Sequence, residues 1–365
     1  MSSPSLLARL RSRPTRQTLR ARPITLSSRL SSSSSSPVSA ITTQFLTRFQ
    51  SLGPQTRTQL LDANQLQLFS LTLNRPTLWP NDNNNSPSLS NSAPAPPSGT
   101  PLPPGYHLAY FTPAFLGSEL GADGTDASYN PEPPFTRRMW AGGEVSWPRG
   151  KDGKPNLLRV GQTVRETTRV LSAEPKVVKK TGEDMIVVGV EKEFANEDGP
   201  AVIDRRNWVF RKALPNPPSS TSPSPAATSA AHTAPLNPPS SAIVSQGTTH
   251  TRTLVQTPVT LFRFSALTFN PHKIHYSLPW ARDVEGHRDI VVHGPLNLIS
   301  ILDMWRDIRP HEEVPASISY RATSPLYAGD EYRIVLEEGD GAAQVQILGP
   351  DGVAMKADIR GSPVR

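Results

Sequence analysis

The sequence predicts an α+β protein made of two copies of one unit, a helix laid on an antiparallel sheet. Three observations carry that expectation. Residues 105–213 and 251–360 both show the apolar–polar alternation and regular turn spacing of antiparallel strands. Residues 214–250, between them, are mostly Pro, Ser, Thr and Ala and contain no Asp, Glu, Lys or Arg, which marks a disordered linker and a domain boundary. The segment His293 to Arg306 carries Leu296, Ile299, Leu302 and Met304 at roughly helical spacing and has Pro295 in its first turn, so it reads as the principal helix.

The net charge of +7 is not a property of the body. Residues 1–50 hold eight Arg and no Lys, Asp or Glu, and the remaining chain has 30 basic against 31 acidic residues. A near-neutral body argues against nucleic-acid binding. A basic, Ser-rich, acid-free stretch with interleaved Leu and Ile reads as a mitochondrial transit peptide over 1–50, and the expected location is the matrix. No run of about 18 apolar residues occurs, so no membrane span is expected. The absence of Cys excludes thiol nucleophiles, disulfides and thiolate metal sites.

Along the chain, residues 54–76 suggest a short helix, and 81–104, rich in Asn, Ser and Pro, a flexible insertion in an N-terminal domain of 54–213. Tyr106 to Phe115 reads as extended. Gly142-Gly143 signals a tight turn or a close backbone approach. Strands are expected at 164–171, 177–180, 185–194 and 201–211. In the C-terminal domain, 251–365, Leu261 to Phe264 reads as the start of a strand, and further strands are expected at 318–322, 331–337, 343–348 and 353–359. Val160-Gly161-Gln162 and Ala328-Gly329-Asp330, each before an alternating strand, form a weak internal repeat.

The chemistry concentrates between Phe262 and Leu296, which hold four of the eight histidines. The stretch Leu267-Thr268-Phe269-Asn270-Pro271-His272-Lys273-Ile274-His275, with Val291-Val292-His293-Gly294-Pro295-Leu296, resembles the hydratase motif of MaoC-like (R)-specific enoyl-thioester hydratases. Within that class it is most similar to the hydroxyacyl-thioester dehydratase type 2 family and its mesaconyl-CoA hydratase relatives. Arg138 to Gly143, expected on a helix, and Tyr320 to Tyr327 agree with the likeness, which covers roughly 54–360. It implies a double hotdog, two antiparallel sheets each wrapping a central helix, with the active site in the C-terminal copy. It also implies a hydro-lyase that dehydrates (R)-3-hydroxyacyl thioesters in mitochondrial fatty-acid synthesis. The acyl carrier would be acyl carrier protein or CoA. No cofactor is implied, and a homodimer is left open.

On that likeness His275 falls on the catalytic histidine, and Asn270 falls where the wider class has an aspartate. An amide can orient a hydroxyl or water but carries no proton at neutral pH. His275 then acts alone, or His272 is the second proton carrier. Elimination of water also needs N–H groups aimed at the thioester oxygen as it becomes negative. The helix opening at His293-Gly294 offers them, and the Gly294 amide is the main candidate. Asp283, Glu285 and Asp289 read as solvated loop charges. Arg137, Arg138, Arg282 and Arg288 are candidates for a basic patch toward an acidic carrier. His272, His275 and His293 lack a carboxylate at useful spacing, so no metal is expected. No phosphate loop, dinucleotide fingerprint or serine elbow is present. The rival functions are a mesaconyl-CoA-type hydratase, a non-catalytic thioester-binding protein and a thioesterase.

Overall fold

The structure is a computed structural model that describes residues 37–80, 88–150, 153–179, 181–213, 242–309 and 313–361. The rest of the expected transit peptide, and most of the expected linker, lie outside the described residues.

Among the described residues, eleven antiparallel strands form one continuous sheet. The first half supplies β1 (Gln55–Leu60), β2 (Arg137–Ser146), β3 (Thr163–Val177), β4 (Asp184–Asn196) and β5 (Gly199–Arg211). The second supplies β6 (Val244–Gln246), β7 (Thr249–Val255), β8 (Ser317–Ala322), β9 (Glu331–Gly339), β10 (Ala342–Gly349) and β11 (Gly352–Arg360). The order is β1-β3-β4-β5-β2-β8-β11-β10-β9-β7-β6, so the halves meet where β2 pairs with β8. At that seam Gly142 lies opposite Arg321 and Gly143 opposite Tyr320. A Cβ on Gly143 would stand 2.1 Å from the carbonyl oxygen of Arg205, and one on Gly142 2.5 Å from that of Tyr320. The double glycine is a close backbone approach. The Arg138–Gly143 segment is strand β2 and not a helix: it pairs with β5, and from Gly142 onward also with β8.

The repeat is physical. Gly161 N–H donates to the carbonyl of Leu61, just after β1, at 2.9 Å, and Gly329 N–H to that of Gln256, just after β7, also at 2.9 Å. Both glycines sit at φ near +80°, where a side chain would be strained. Each half then sends its first strand into a short helix, α2 (Ala63–Thr72) and α3 (Pro258–Leu267). Asp62 caps α2 by accepting from Gln65 N–H at 2.8 Å, and Thr257 caps α3 by accepting from Thr260 N–H at 3.1 Å. The expected strand at 261–264 is therefore helix: Leu261, Phe264 and Ser265 are buried at helical spacing.

Helix α4 (Gly294–Asp307) fills the second half, with every residue from Leu296 to Arg306 buried. This is the double hotdog expected from the sequence, with the two sheets fused edge to edge. In the first half the corresponding chain forms only a short 3-10 turn, Tyr106–Ala109, where an extended segment was expected. Part of that sheet face is left open as the cavity described below.

Three boundaries differ from expectation. Residues 54–76 hold strand β1 as well as a helix. Within the expected insertion, Leu89 and Leu102 are buried, and Leu102 N–H bonds the carbonyl of Leu158 at 2.9 Å, so 88–104 is core-packed chain. Strand β6 and the start of β7 fall inside 214–250.

Helix α1 (Pro37–Leu52) begins before residue 50 and packs on β3 and β4. Its Val38 and Phe45 join a buried cluster with Phe135, Ile186, Val188, Val190, Trp208 and Phe210. Among the described residues no helix is long and apolar enough to cross a membrane. Removal of residues 1–36 should leave the thermal midpoint unchanged. Removal of 1–52 deletes two buried apolar side chains worth about 1.5–3 kcal/mol each and should lower the midpoint by about 5–10 °C, read by circular dichroism or scanning fluorimetry.

Candidate active site

The end of α3 delivers the motif. Phe269 adopts a left-handed conformation at φ 49°. Asn270 N–H bonds the carbonyl of Ser265 at 2.8 Å, and Phe269 N–H that of Ala266 at 3.2 Å, the pairing of a Schellman stop. A non-glycine residue there costs of order 1 kcal/mol or more and must be held by its surroundings. The turn aims Asn270 at the cavity. Asn270 Oδ1 accepts from His272 N–H at 3.3 Å, which leaves its NH2 as a donor.

A 3-10 turn, Lys273–His275, follows. Loop 117–126 of the first half straps it down. Lys273 N–H bonds the Asp123 carbonyl at 2.8 Å, and Lys273 Nζ the Ala122 carbonyl at 2.7 Å. Gly124, at φ +87°, lies so close that a Cβ would come 2.2 Å from the carbonyl oxygen of Pro271.

His275 is buried, and its Nδ1 lies 2.8 Å from the carbonyl oxygen of Val291. A carbonyl only accepts, so Nδ1 carries the hydrogen and Nε2 keeps its lone pair. Nε2 has no partner among the described residues, and His275 lines the cavity. Burial, followed by the nearby His272, pushes its pKa down to about 3, so the imidazole is neutral at physiological pH. The ring stacks on His293, with centroids 3.6 Å apart and planes inclined by 18°. His293 is fully buried, bonds Ser265 Oγ through Nε2 at 2.8 Å, and is held well below the usual histidine range by burial. It is the platform for His275. Among the described residues no group of three or more His, Cys, Asp or Glu has metal-holding geometry.

His293 is also the N-cap of α4, with no side-chain hydrogen bond to the helix. The Gly294 N–H has no acceptor among the described residues, and Pro295 has no N–H to give. The positive end of a buried helix therefore opens on the cavity beside His275. A Cβ on Gly294 would meet only Trp140, at an ordinary 3.6 Å. Packing within the chain does not require glycine here.

The sequence missed one residue of the site. Glu285, read as a solvated charge, has a nearly buried carboxylate that faces His272. His272 Nε2 is 3.4 Å from Glu285 Oε1 and 3.9 Å from Asp123 Oδ2. Trp280 Nε1 donates to Glu285 Oε1 at 3.0 Å, and Arg137 reaches Oε2 at 3.4 Å. Burial alone would raise the Glu285 pKa; hydrogen bonds from His272 and Trp280 outweigh it and hold it at about 2. Glu285 ends a π-helical turn, Trp280–Val284, and Arg137 lies in the other half, so no local pattern links them. Asp283, by contrast, is exposed and paired with Arg282.

The cavity has a volume of about 1370 Å³ and runs from these residues along the open face of the first-half sheet. Met139 and Trp140 line it, as do Lys192, Arg206 and Trp208. The expected basic patch is not free charge. Arg137 pairs with Glu285, Arg138 with Asp126, Arg282 with Asp283, and Arg288 with Asp330. Arg321 lines the cavity, is exposed, and has no carboxylate partner among the described residues.

Residues 105–328 match the profile of the hydroxyacyl-thioester dehydratase type 2 family. The mesaconyl-C(4)-CoA hydratase of Chloroflexus aurantiacus is 30% identical over 264 residues, 71% of this chain and 84% of that protein. The mitochondrial hydroxyacyl-thioester dehydratase type 2 of Schizosaccharomyces pombe is 26% identical over 258 residues, 66% of this chain and 79% of that one. Among solved structures, a MaoC-like dehydratase from Phytophthora capsici superposes with a TM-score of 0.53 at 14% identity, covering 86% of this chain and 96% of that one. A second MaoC-like dehydratase gives 0.56 at 10% identity, covering 85% and 98%. Both share the fold. The chain belongs to the hydroxyacyl-thioester dehydratase type 2 family and is a hydro-lyase.

Proposed function

We propose that the chain reversibly dehydrates (R)-3-hydroxyacyl thioesters to trans-2-enoyl thioesters in the mitochondrial matrix, on acyl chains carried by acyl carrier protein. One observation carries the reaction: a neutral histidine with a fixed tautomer opens its Nε2 lone pair into a cavity beside the unpaired Gly294 N–H at a helix N-terminus. His275 Nε2 takes the Cα proton. The Gly294 N–H and the α4 dipole receive the charge that develops on the thioester oxygen. That negative charge favours the protonated imidazole at the moment it forms, which offsets the low basicity burial imposes. The Asn270 amide holds the β-hydroxyl, and Arg321 is placed to meet a phosphate of the carrier. The first-half sheet supplies room for the acyl chain.

The location rests on the acid-free basic N-terminus and on the mitochondrial relative in Schizosaccharomyces pombe. A second reading, hydration of a mesaconyl-type dicarboxylic enoyl-CoA, is favoured by the 30% identity to the Chloroflexus protein. That substrate needs a cation for its second carboxylate. Lys192, Arg206 and Arg138 line the cavity but already pair with Glu166, Asp204 and Asp126, which leaves Arg211 and Arg321, lining it without a carboxylate partner among the described residues, as the candidates. Relative rates on 3-hydroxyacyl carrier-protein thioesters and on mesaconyl-CoA decide between the two.

His275→Ala should lower kcat/KM on the order of 10²–10⁴-fold in an enoyl-thioester hydration assay; an unchanged rate removes His275 from the mechanism. In the dehydration direction the neutral form is the working base, and with a pKa of about 3 its contribution persists above that value and is lost only as pH falls through it. A rate limb near neutrality therefore belongs to another group. Gly294→Ala should fold with an unaltered thermal midpoint yet lose on the order of 10-fold or more in kcat/KM through crowding of the thioester; full activity would show that this amide is not approached. A reporter fused to residues 1–50 should enter mitochondria, and a cytosolic reporter refutes the location.

A further inference from the structure

We infer that Glu285 is a positioning residue that makes His272 the second proton carrier of the site, in place of the carboxylate the wider class has where Asn270 stands. The inference rests on the dehydratase reading above. His272 Nε2 faces two carboxylates, Glu285 Oε1 at 3.4 Å and Asp123 Oδ2 at 3.9 Å. Carboxylates accept, so Nε2 carries a hydrogen. Nδ1 makes no hydrogen bond among the described residues, and His272 lines the cavity. A carboxylate on one ring nitrogen and an open site at the other is the arrangement that fixes a tautomer and stabilises the imidazolium when the second nitrogen takes a proton. Glu285 is itself held, by Trp280 Nε1 at 3.0 Å and by Arg137 of the other half at 3.4 Å. His275 has no such partner: its Nδ1 rests on the neutral carbonyl of Val291. The two histidines, with ring centroids 5.4 Å apart, therefore differ in what holds them: a carboxylate for one and a backbone carbonyl for the other.

The proton inventory closes with both. In dehydration His275 Nε2 takes the Cα proton, and the C–H electron pair becomes the Cα=Cβ bond. The Cβ–O bond breaks, and the departing oxygen takes the Nδ1 proton of the His272 imidazolium and leaves as water. Hydration is the reverse: Nδ1 of neutral His272 takes a proton from water as its oxygen adds to Cβ, and His275 delivers a proton to Cα. Each turnover moves one proton between the imidazoles, and solvent in the cavity restores it.

The test uses the full chain and Glu285→Gln, which keeps the shape and removes the charge, with Glu285→Asp as the conservative variant. Two readouts are needed: the pH profile of hydration and a ¹⁵N NMR titration of the His272 ring, assigned by its loss in His272→Gln. The groups facing His272 are Glu285 and His287 from the 280–287 segment, Asp123 from the first-half strap, Arg137 on β2, His275 on its own turn and His293 at α4. Only Glu285 is altered. The wild-type ring should show Nε2–H. Glu285→Gln should move both readouts, the ring titration and the acidic limb of kcat/KM, downward in pH together. It should reduce kcat on the order of 10²-fold, with Glu285→Asp recovering part of the loss. An unmoved His272 titration, or a loss of rate with an unmoved limb and a lowered thermal midpoint, overturns the inference and leaves Glu285 as a tether. A wild-type chain inert on every enoyl thioester, with the titration shift intact, overturns the reaction and not the pairing.

Discussion

The burial of α4 is the constraint on which the rest depends. A helix covered on all sides must be apolar nearly all round, and α4 is. Asn297 and Ser300 are polar exceptions in its first half; the charged ones lie in its last turns and are paired. Arg306 pairs with Asp303 at 2.8 Å, and Asp307 is held by Arg75 and Arg252. Removing one partner of such a pair leaves a buried charge, a cost of about 3–5 kcal/mol. The C-terminal end of the helix is thereby locked. The N-terminal end is free of side-chain caps and opens on the cavity, where unpaired N–H groups can serve a reacting oxygen. One element is both the second half's core and the electrostatic end of the site.

The same logic explains why one half carries chemistry and the other carries space. Where α4 would repeat, the first half has only the turn 106–109, and its sheet face is open. Two cations on that face are neutralised in place, Lys192 by Glu166 and Arg206 by Asp204. Arg211 of β5 also lines the cavity and has no carboxylate partner among the described residues. Helix α1 packs beside that face, sharing Trp208 with the cavity. The division is not complete, because Asp123 and Arg137 of the first half reach the His272–Glu285 pair.

What was legible in the sequence was what depends on local periodicity. The strands β4, β5 and β8 to β11, and helix α4, follow apolar alternation or helical spacing closely, whereas the two strands expected at 164–171 and 177–180 are one long strand, β3, that ends at Val177. Asn270, His272, His275 and Gly294 all line the cavity the structure shows. The misreadings have physical causes. Leu261 to Phe264 is too short and too apolar for period to separate helix from strand, and the deciding signal was the cap, Thr257-Pro258. Residues 88–104 look like linker by composition, yet Trp79 and Leu102 pin them to the core. Glu285 was illegible because its meaning comes from Trp280, Arg137 and His272, which converge only in three dimensions.

The exchange of a carboxylate for Asn270 then has a structural counterpart rather than a loss. Burial that keeps His275 neutral also makes it a reluctant proton carrier, and an amide beside it cannot share the work. An acid–base site of two groups needs environments that push their proton affinities apart. Here one imidazole rests on a backbone carbonyl and on the face of a neutral ring, and its neighbour faces an anchored carboxylate. On the proposal above, the carboxylate of this site stands behind a histidine, at Glu285, and not where Asn270 faces the cavity.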